Sequence, residues 1–277
     1  MSLAARIGEL YQYRELIRNL VVRDLKVRYK NSALGFLWSL VNPLLMMLVF
    51  TVVFQIMLPN QQIRAFPIFI LCALLPWNWF AASLNEAIPS IINNAHLIKK
   101  VYFPREVLPL SVVLANGVNF ALALLVLFAM IFVYGVHLSA WVLLLPAIIA
   151  IQLLFTLGVS FILSTINVFY RDTSVIMEVV LLAWFFLTPI FYPVTLLSEH
   201  REIWGITMPV QRLVYILNPM ASLISAYRDI LWGSLEGGPP GAPGLDFLGR
   251  TVITSLGILI VGYLFFTRYS RVFGEEV

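Results

Sequence analysis

Long uncharged blocks alternate with short polar joins along this chain of 277 residues. From Arg14 to Lys30, Leu16, Leu20 and Val27 fall nearly in line, flanked by Ile17 and Val21, while Arg18, Arg23, Lys26 and Lys30 project elsewhere, which is the spacing of an amphipathic helix lying at a membrane surface. Positions 34 to 58 then carry no charge, and as helix they would reach about 37 Å at ~1.5 Å per residue, more than a hydrocarbon core of roughly 30 Å. Further apolar blocks occupy about 66–86, 107–134, 141–168, 174–192 and 248–268. The pattern therefore predicts an all-α membrane protein of six transmembrane helices. Its organisation would be an N-terminal amphipathic segment, 1–33, a spanning domain, 34–268, with an external region at 193–247, and a tail, 269–277.

Composition supports this reading: 61% of residues are hydrophobic and 12% charged, with mean hydropathy +0.91, against roughly 25% charged in an ordinary soluble domain. Backbone groups in such blocks must be satisfied within each segment, so helices are expected, and the short alternating strands of a barrel are absent. The first apolar block is too long and too late for a cleavable signal peptide, so the polar N-terminus is expected to be retained. The net charge of +4 matters through its placement. Six spans put Arg6, Arg14, Arg18, Arg23, Lys26, Arg28 and Lys30 on one side with Lys99, Lys100, Arg105, Arg171, Arg268 and Arg271, leaving Arg64, Arg201, Arg212, Arg228 and Arg250 opposite. The positive-inside rule then places both termini in the cytoplasm. No nucleic-acid partner is expected. Cys72 is single, so no internal disulfide can form.

Between the second and third blocks, "IINNAHLIKKVYFPREVLP" (91–109) places Ile91, Ile92, Ala95 and Ile98 on one stripe with Lys99 and Lys100 at its end, before Pro104 stops it; a short cytoplasmic helix is expected. Farther on, Asn218 and Pro219 form an N-cap with proline at N1, and Met220, Leu223, Ile224, Tyr227, Ile230 and Leu231 keep helical spacing up to Gly233, which predicts an amphipathic helix flat on the outer surface. "EGGPPGAPG" (236–244) reads as a flexible tether.

Candidate chemistry is sparse. Within the blocks, apart from residues at their boundaries, only Glu86, Glu178 and Arg250 are charged, each near an end, whereas an enzyme or ion-coupled carrier would place ionisable groups at depth. No G-x-x-x-x-G-K-[ST] loop occurs, so the chain should not hydrolyse ATP by that machinery. His96, His137 and His200 lie far apart, and no metal site is expected. Aromatic residues are abundant: Trp77, Trp79 and Phe80 in "PWNWF", and Trp184, Phe185, Phe186, Phe191 and Tyr192 in "AWFFLTPIFYP". Rings at span ends form interfacial belts, or they could line a path on which sugar C–H faces slide. Asn42–Pro43 is a candidate hinge or a plain packing kink, since proline frees a carbonyl from the helix ladder.

Four stretches, "LVVRDLKVRYKNSALGFLWSLVNPLLMMLVFTVVF" (20–54), "HLIKKVYFPREVLPLS" (96–111), "FYRDTSVIMEVVLLAWFFLTPIFYP" (169–193) and "YILNPMASLISAYRDILWG" (215–233), resemble the transmembrane subunit of type 2 ABC exporters that move polysaccharides, above all the O-antigen permeases, with teichoic acid and capsule permeases as relatives. The resemblance implies a homodimer in the inner membrane, carrying a lipid-linked polysaccharide and paired with two copies of a separate ATPase that binds ATP and Mg. It implies that Arg23, Lys26, Arg28, His96, Lys99, Lys100, Phe103 and Arg105 contact that ATPase through the surface helix and a coupling helix after span two. It also implies that a channel between protomers runs along spans one and five, with re-entrant helices between spans five and six. Candidate lining residues are Trp38, Phe50, Phe54, Trp184, Phe185, Phe186, Phe191 and Tyr192. No catalytic residue or cofactor is expected in this chain. The different-class alternative is a membrane-embedded glycolipid transferase, for which the sparse carboxylates supply no acid–base cluster.

Overall fold

The structure, a computed structural model, describes residues 11–30, 32, 35–57, 63–194, 197, 201–203, 206–234 and 238–276. Helix α1 (Arg14–Tyr29) is followed by a 3-10 turn, Gly35–Leu37, and by α2 (Trp38–Thr51), which passes into a π-helical turn at Val52–Met57. Then come α3 (Phe66–Ala87), two short helices α4 (Ser90–Asn93) and α5 (Ala95–Lys100), α6 (Val107–Val133), a 3-10 turn Ala140–Leu144 leading into α7 (Leu145–Phe169), and α8 (Thr173–Leu187). A small hairpin pairs β1 (Arg201–Ile203) with β2 (Ile206–Met208), and α9 (Val210–Leu217), α10 (Pro219–Leu231), α11 (Leu245–Tyr269) and α12 (Phe273–Glu276) complete the chain.

Among the described residues four helical segments are long and apolar enough to cross a membrane: Phe66–Ala87, Val107–Val133, Ala140–Phe169 and Leu245–Tyr269. The first and fifth expected spans are shorter apolar helices, Trp38–Phe54 and Thr173–Leu187. The first is helical through 57 only by widening into the π turn. The protein is a multi-pass helical membrane protein.

Helix α3 is the axis. It starts after Ala65, whose left-handed φ of 47° turns the chain, with Pro67 in its first turn. It is buried around nearly its whole circumference, against α6, α7, α10 and α2. Helices α7 and α11 pack along their length, and they approach so closely that a Cβ on Gly158 would lie 2.6 Å from the Leu259 amide nitrogen, while one on Gly262 would collide with the Gly158 carbonyl. Small residues permit such backbone contact between membrane helices, which have no hydrophobic drive to associate in lipid. Gly262→Ala is accordingly expected to cost about 1–3 kcal/mol by overpacking, seen as a lowered thermal unfolding midpoint in detergent; an unchanged midpoint would show that the two helices can separate freely.

Two clusters of buried side chains divide the molecule. One surrounds α3 and α10. The other, at the Ala87 end of α3, joins Leu20 of α1, Ile91 and Ile98 of α4 and α5, Phe103, Phe161 of α7, Phe266 of α11 and Phe273 of α12. Helices α1 and α12, near opposite ends of the sequence, thus meet at the same end of the bundle.

Two expectations are corrected. Helix α10 does not lie flat on a surface: Met220, Leu223, Ile224, Tyr227, Ile230 and Leu231 are buried, and so are Ala221, Ala226 and Arg228 on its other sides. Apart from Arg228 and Asp229, its residues are apolar, small or Tyr227, which suits a core helix. The Asn218 cap forms as expected, its side chain accepting from the Met220 and Ala221 amides, with Pro219 at N1. In α1, Val27 is 66% exposed while Leu20 is 5% exposed. Inward positions are Leu16, Ile17, Leu20, Val21, Asp24 and Leu25, so Val27 falls outside the stripe, while Arg28 at the exposed edge finds polar partners on α3 and α6.

Candidate functional site

At the Phe66 end of α3, rings from two distant segments meet. Phe50 and Phe54 lie one turn apart where α2 becomes π-helical, and Phe191 follows α8. The Phe191 ring centroid is 4.9 Å from Phe50, 5.1 Å from Phe54 and 5.0 Å from Phe185. Phe186, 61% exposed, borders this seam, and Trp77 joins it from α3 at 5.6 Å from Phe185.

Phe191 is held there from behind. Helix α8 stops at Leu187 because Pro189 cannot continue it. Thr188 donates its hydroxyl to the Trp184 carbonyl (2.7 Å) and accepts from Asn218 Nδ2 (2.8 Å). The carbonyls of Pro189 and Ile190, freed by the break, each accept from Arg228 at 2.6 Å. Arg228 also donates to the Phe69 carbonyl at 3.3 Å, and its guanidinium lies 3.6 Å from the Phe69 ring centroid. A buried cation thus replaces water for three backbone acceptors, as a low-dielectric setting demands. The residue fixed by this clamp is the one that completes the seam.

Of the residues expected to line a channel, Phe50, Phe54, Phe185, Phe186 and Phe191 come together. Trp184 does not join their open side: its indole donates to Asn218 Oδ1 (2.9 Å) and packs on Phe80 at 5.1 Å, in the core. Tyr192 is half-buried. Trp38 lies near Arg28, in a different recess. Of the candidate hinge, Asn42 is exposed and Pro43 buried, with helix on both sides of it. Below the seam a recess of about 330 Å³ is lined by Phe50, Trp77, Asn78, Glu178 and Phe185. Glu178, read from sequence as a rim charge, therefore faces the same side as the aromatic seam.

The basic end is built differently. Arg23 pairs with Asp24 (2.9 Å) and donates to Asn94 Oδ1 (3.1 Å), tying α1 to the α4–α5 segment. Arg28 turns inward, donating to both carboxylate oxygens of Glu86 at 2.6 Å and to Asn116 Oδ1 at 2.9 Å; Asn116 in turn donates to Glu86. Tyr29 donates to Asn119 (2.8 Å). Lys26, His96, Lys99 and Lys100 are exposed, whereas Phe103 is buried. Arg105 lies over the Phe273 ring at 6.0 Å with its Nη1 buried and without an acceptor; that burial draws its pKa below the ordinary arginine value, against the pull of neighbouring Glu106. Of the eight expected coupling residues, Lys26, His96, Lys99 and Lys100 are exposed, Arg23 and Arg28 are exposed yet bonded to other elements, and Phe103 and Arg105 are packed into the protein.

Sequence reasoning missed Glu86 as the partner of Arg28, Arg228 as a clamp, and Asn78. The mostly apolar and small residues of 219–231 were the available signal for Arg228, since a cation in a helix of that kind needs partners. For Glu86 and Arg28 no local signal exists, because they are joined only in three dimensions.

Residues 15–232 match the family model described as ABC-2 type transporter. The chain is also similar to an O-antigen export system permease protein RfbA of Myxococcus xanthus, at 41% identity over 226 residues covering 82% of this chain and 84% of the relative. A protein of the same description from Klebsiella pneumoniae is 34% identical over 276 residues, 99% of this chain and 98% of the relative. A second from Klebsiella pneumoniae is 35% identical over 270 residues, covering 97% and 96%.

Proposed function

The chain belongs to the ABC-2 type transporter family, and from that premise we propose that it is the permease subunit of an ATP-driven exporter moving a lipid-linked polysaccharide of the O-antigen type across the inner membrane. Three relatives described as O-antigen export permeases support the cargo. Two protomers, each with six spans and both termini in the cytoplasm, form the conduit. Segment 1–33 serves as the cytoplasmic interface and 269–277 as the tail, around the spanning domain 34–268. ATP and Mg belong to a separate ATPase present in two copies. Residues exposed at the basic end, Lys26, His96, Lys99 and Lys100, meet that ATPase; Arg23, Arg28 and Arg105 connect the contacted elements to the spans, and Asn42–Pro43 serves as the flexing point.

One observation carries the reading. The seam of Phe50, Phe54, Phe185 and Phe191 brings the first and fifth apolar helices together at one end of α3, and the Arg28–Glu86 pair anchors the basic helix at the other. An uncharged aromatic wall suits a sugar polymer, because rings meet C–H faces without strong, site-specific bonds. Movement applied to α1 acts on α3 directly. Affinity purification of the chain from its host membrane tests this: an ATPase should co-purify, and lipid-linked glycan should alter its turnover. Isolation without any ATPase would contradict the proposal.

A further inference from the structure

A second recess adjoins the one below the aromatic seam and shares Asn78 with it. It has a volume of about 340 Å³ and is walled by α1, α2, α3 and α6. It runs from Arg28 at the end of the bundle to Leu75, which is about 18 Å along α3 from Ala87 at ~1.5 Å per residue. Three side-chain amides from three helices converge on it: Asn42 of α2, Asn78 of α3 and Asn119 of α6. Amides inside spanning segments are costly unless they bond. Asn119 gives its carbonyl to Tyr29, yet its Nδ2 is buried with no acceptor. By contrast, both ends of the Asn116 amide are engaged by the protein itself. The recess also has aromatic walls. Trp79 is pinned by its bond to the Val113 carbonyl and by stacking on Phe120 at 4.9 Å, and Trp38 is 42% exposed.

We propose that this recess is a loading site for a glycosyl unit attached to lipid, adjoining the recess below the aromatic seam at Asn78, with Asn78 and Asn119 bonding sugar hydroxyls and Trp38 covering a C–H face. The charge balance selects this class. Arg28 is the only cation among the described lining residues, and both oxygens of Glu86 engage it, so the recess is close to neutral and offers little to a phosphate, whereas a polyol needs amides and ring faces. The tail has a place as well, since α2, which walls the recess, also carries the exposed Leu44, Leu45, Leu48 and Val49. The inference rests on the reading that the chain handles a lipid-linked glycan.

The test uses the full-length chain in nanodiscs, titrated with octyl glucoside, octyl galactoside and octyl N-acetylglucosaminide, with octyl phosphocholine as control, and read by tryptophan fluorescence. At least one glycoside should quench saturably. Trp38→Phe should remove most of that signal, and Asn78→Leu or Asn119→Leu should weaken binding tenfold or more. A diazirine-bearing glycoside, which needs no variant, should label peptides spanning 38–43 and 75–82. No saturable response to any glycoside, an equal response to phosphocholine, full binding by Asn78→Leu, or labelling spread evenly over the chain would each overturn the site. Glycan export measured in cells separates the two readings: export that persists without binding sinks the recess alone, and binding without export sinks the transport reading alone.

Discussion

Arg228→Met should leave less than about a tenth of the parent yield of monodisperse, detergent-extracted protein. The guanidinium is buried and donates to the carbonyls of Phe69, Pro189 and Ile190. Bonds from a charged donor contribute about 1.5–3 kcal/mol each, and a carbonyl left buried without a partner carries its own desolvation cost. Losing three together approaches the roughly 5–15 kcal/mol that separates folded from unfolded protein. Methionine fills much of the volume but bonds nothing. Arg228→Lys should recover only part of the yield, because a single ammonium cannot reproduce the planar fork that spans three acceptors. Size-exclusion yield and the unfolding midpoint measure both. A methionine variant at parent yield would mean that the break after α8 does not depend on the clamp, and with it the seating of Phe191.

The second large effect is expected at the opposite end. Arg28→Ala should reduce glycan export at least tenfold while the chain still reaches the membrane and retains its ATPase. The mutation removes the two bonds to Glu86 and the one to Asn116, and so takes away the ion pair joining α1 to α3, while the Tyr29–Asn119 bond to α6 remains. The remaining contacts of α1, centred on Leu20 in the end cluster, keep the helix folded and docked. Combining Arg28→Glu with Glu86→Arg restores an ion pair with its polarity reversed and should return part of the export; Glu86→Arg alone, which sets two cations against each other, should not. Export assayed by surface glycan, with co-purified ATPase quantified in parallel, checks this. Full export by Arg28→Ala would show that α1 drives α3 by some other contact.

Periodicity was a good guide to α1, α3, α6, α7 and α11, because long apolar runs admit few alternatives to helix. It located the Asn218 cap and the interrupted segment at 91–109 as well. It failed where spacing and burial part company. Met220 to Leu231 has a helical apolar stripe, but the positions between are alanine, serine, Arg228 and Asp229, and the small ones among them let the helix sink into the core. Arg228 looked like a surface charge for the same reason. The aromatic residues were conspicuous in the sequence, yet Trp184 and Phe185 are adjacent and face different surroundings, core and seam; only the position of Asn218 decides which. Glu86, Asn78 and Glu178 gained meaning only from neighbours far away in sequence.

On the proposed function, this chain is a conduit moved by a separate motor. Proteoliposomes holding the purified chain, with or without its co-purified ATPase, and supplied with lipid-linked glycan and ATP test it most directly. The expected result is glycan transfer only when both polypeptides and ATP are present, with no nucleotide turnover by the chain alone. ATP hydrolysis by the isolated chain, or transfer at the same rate without the ATPase, would contradict it.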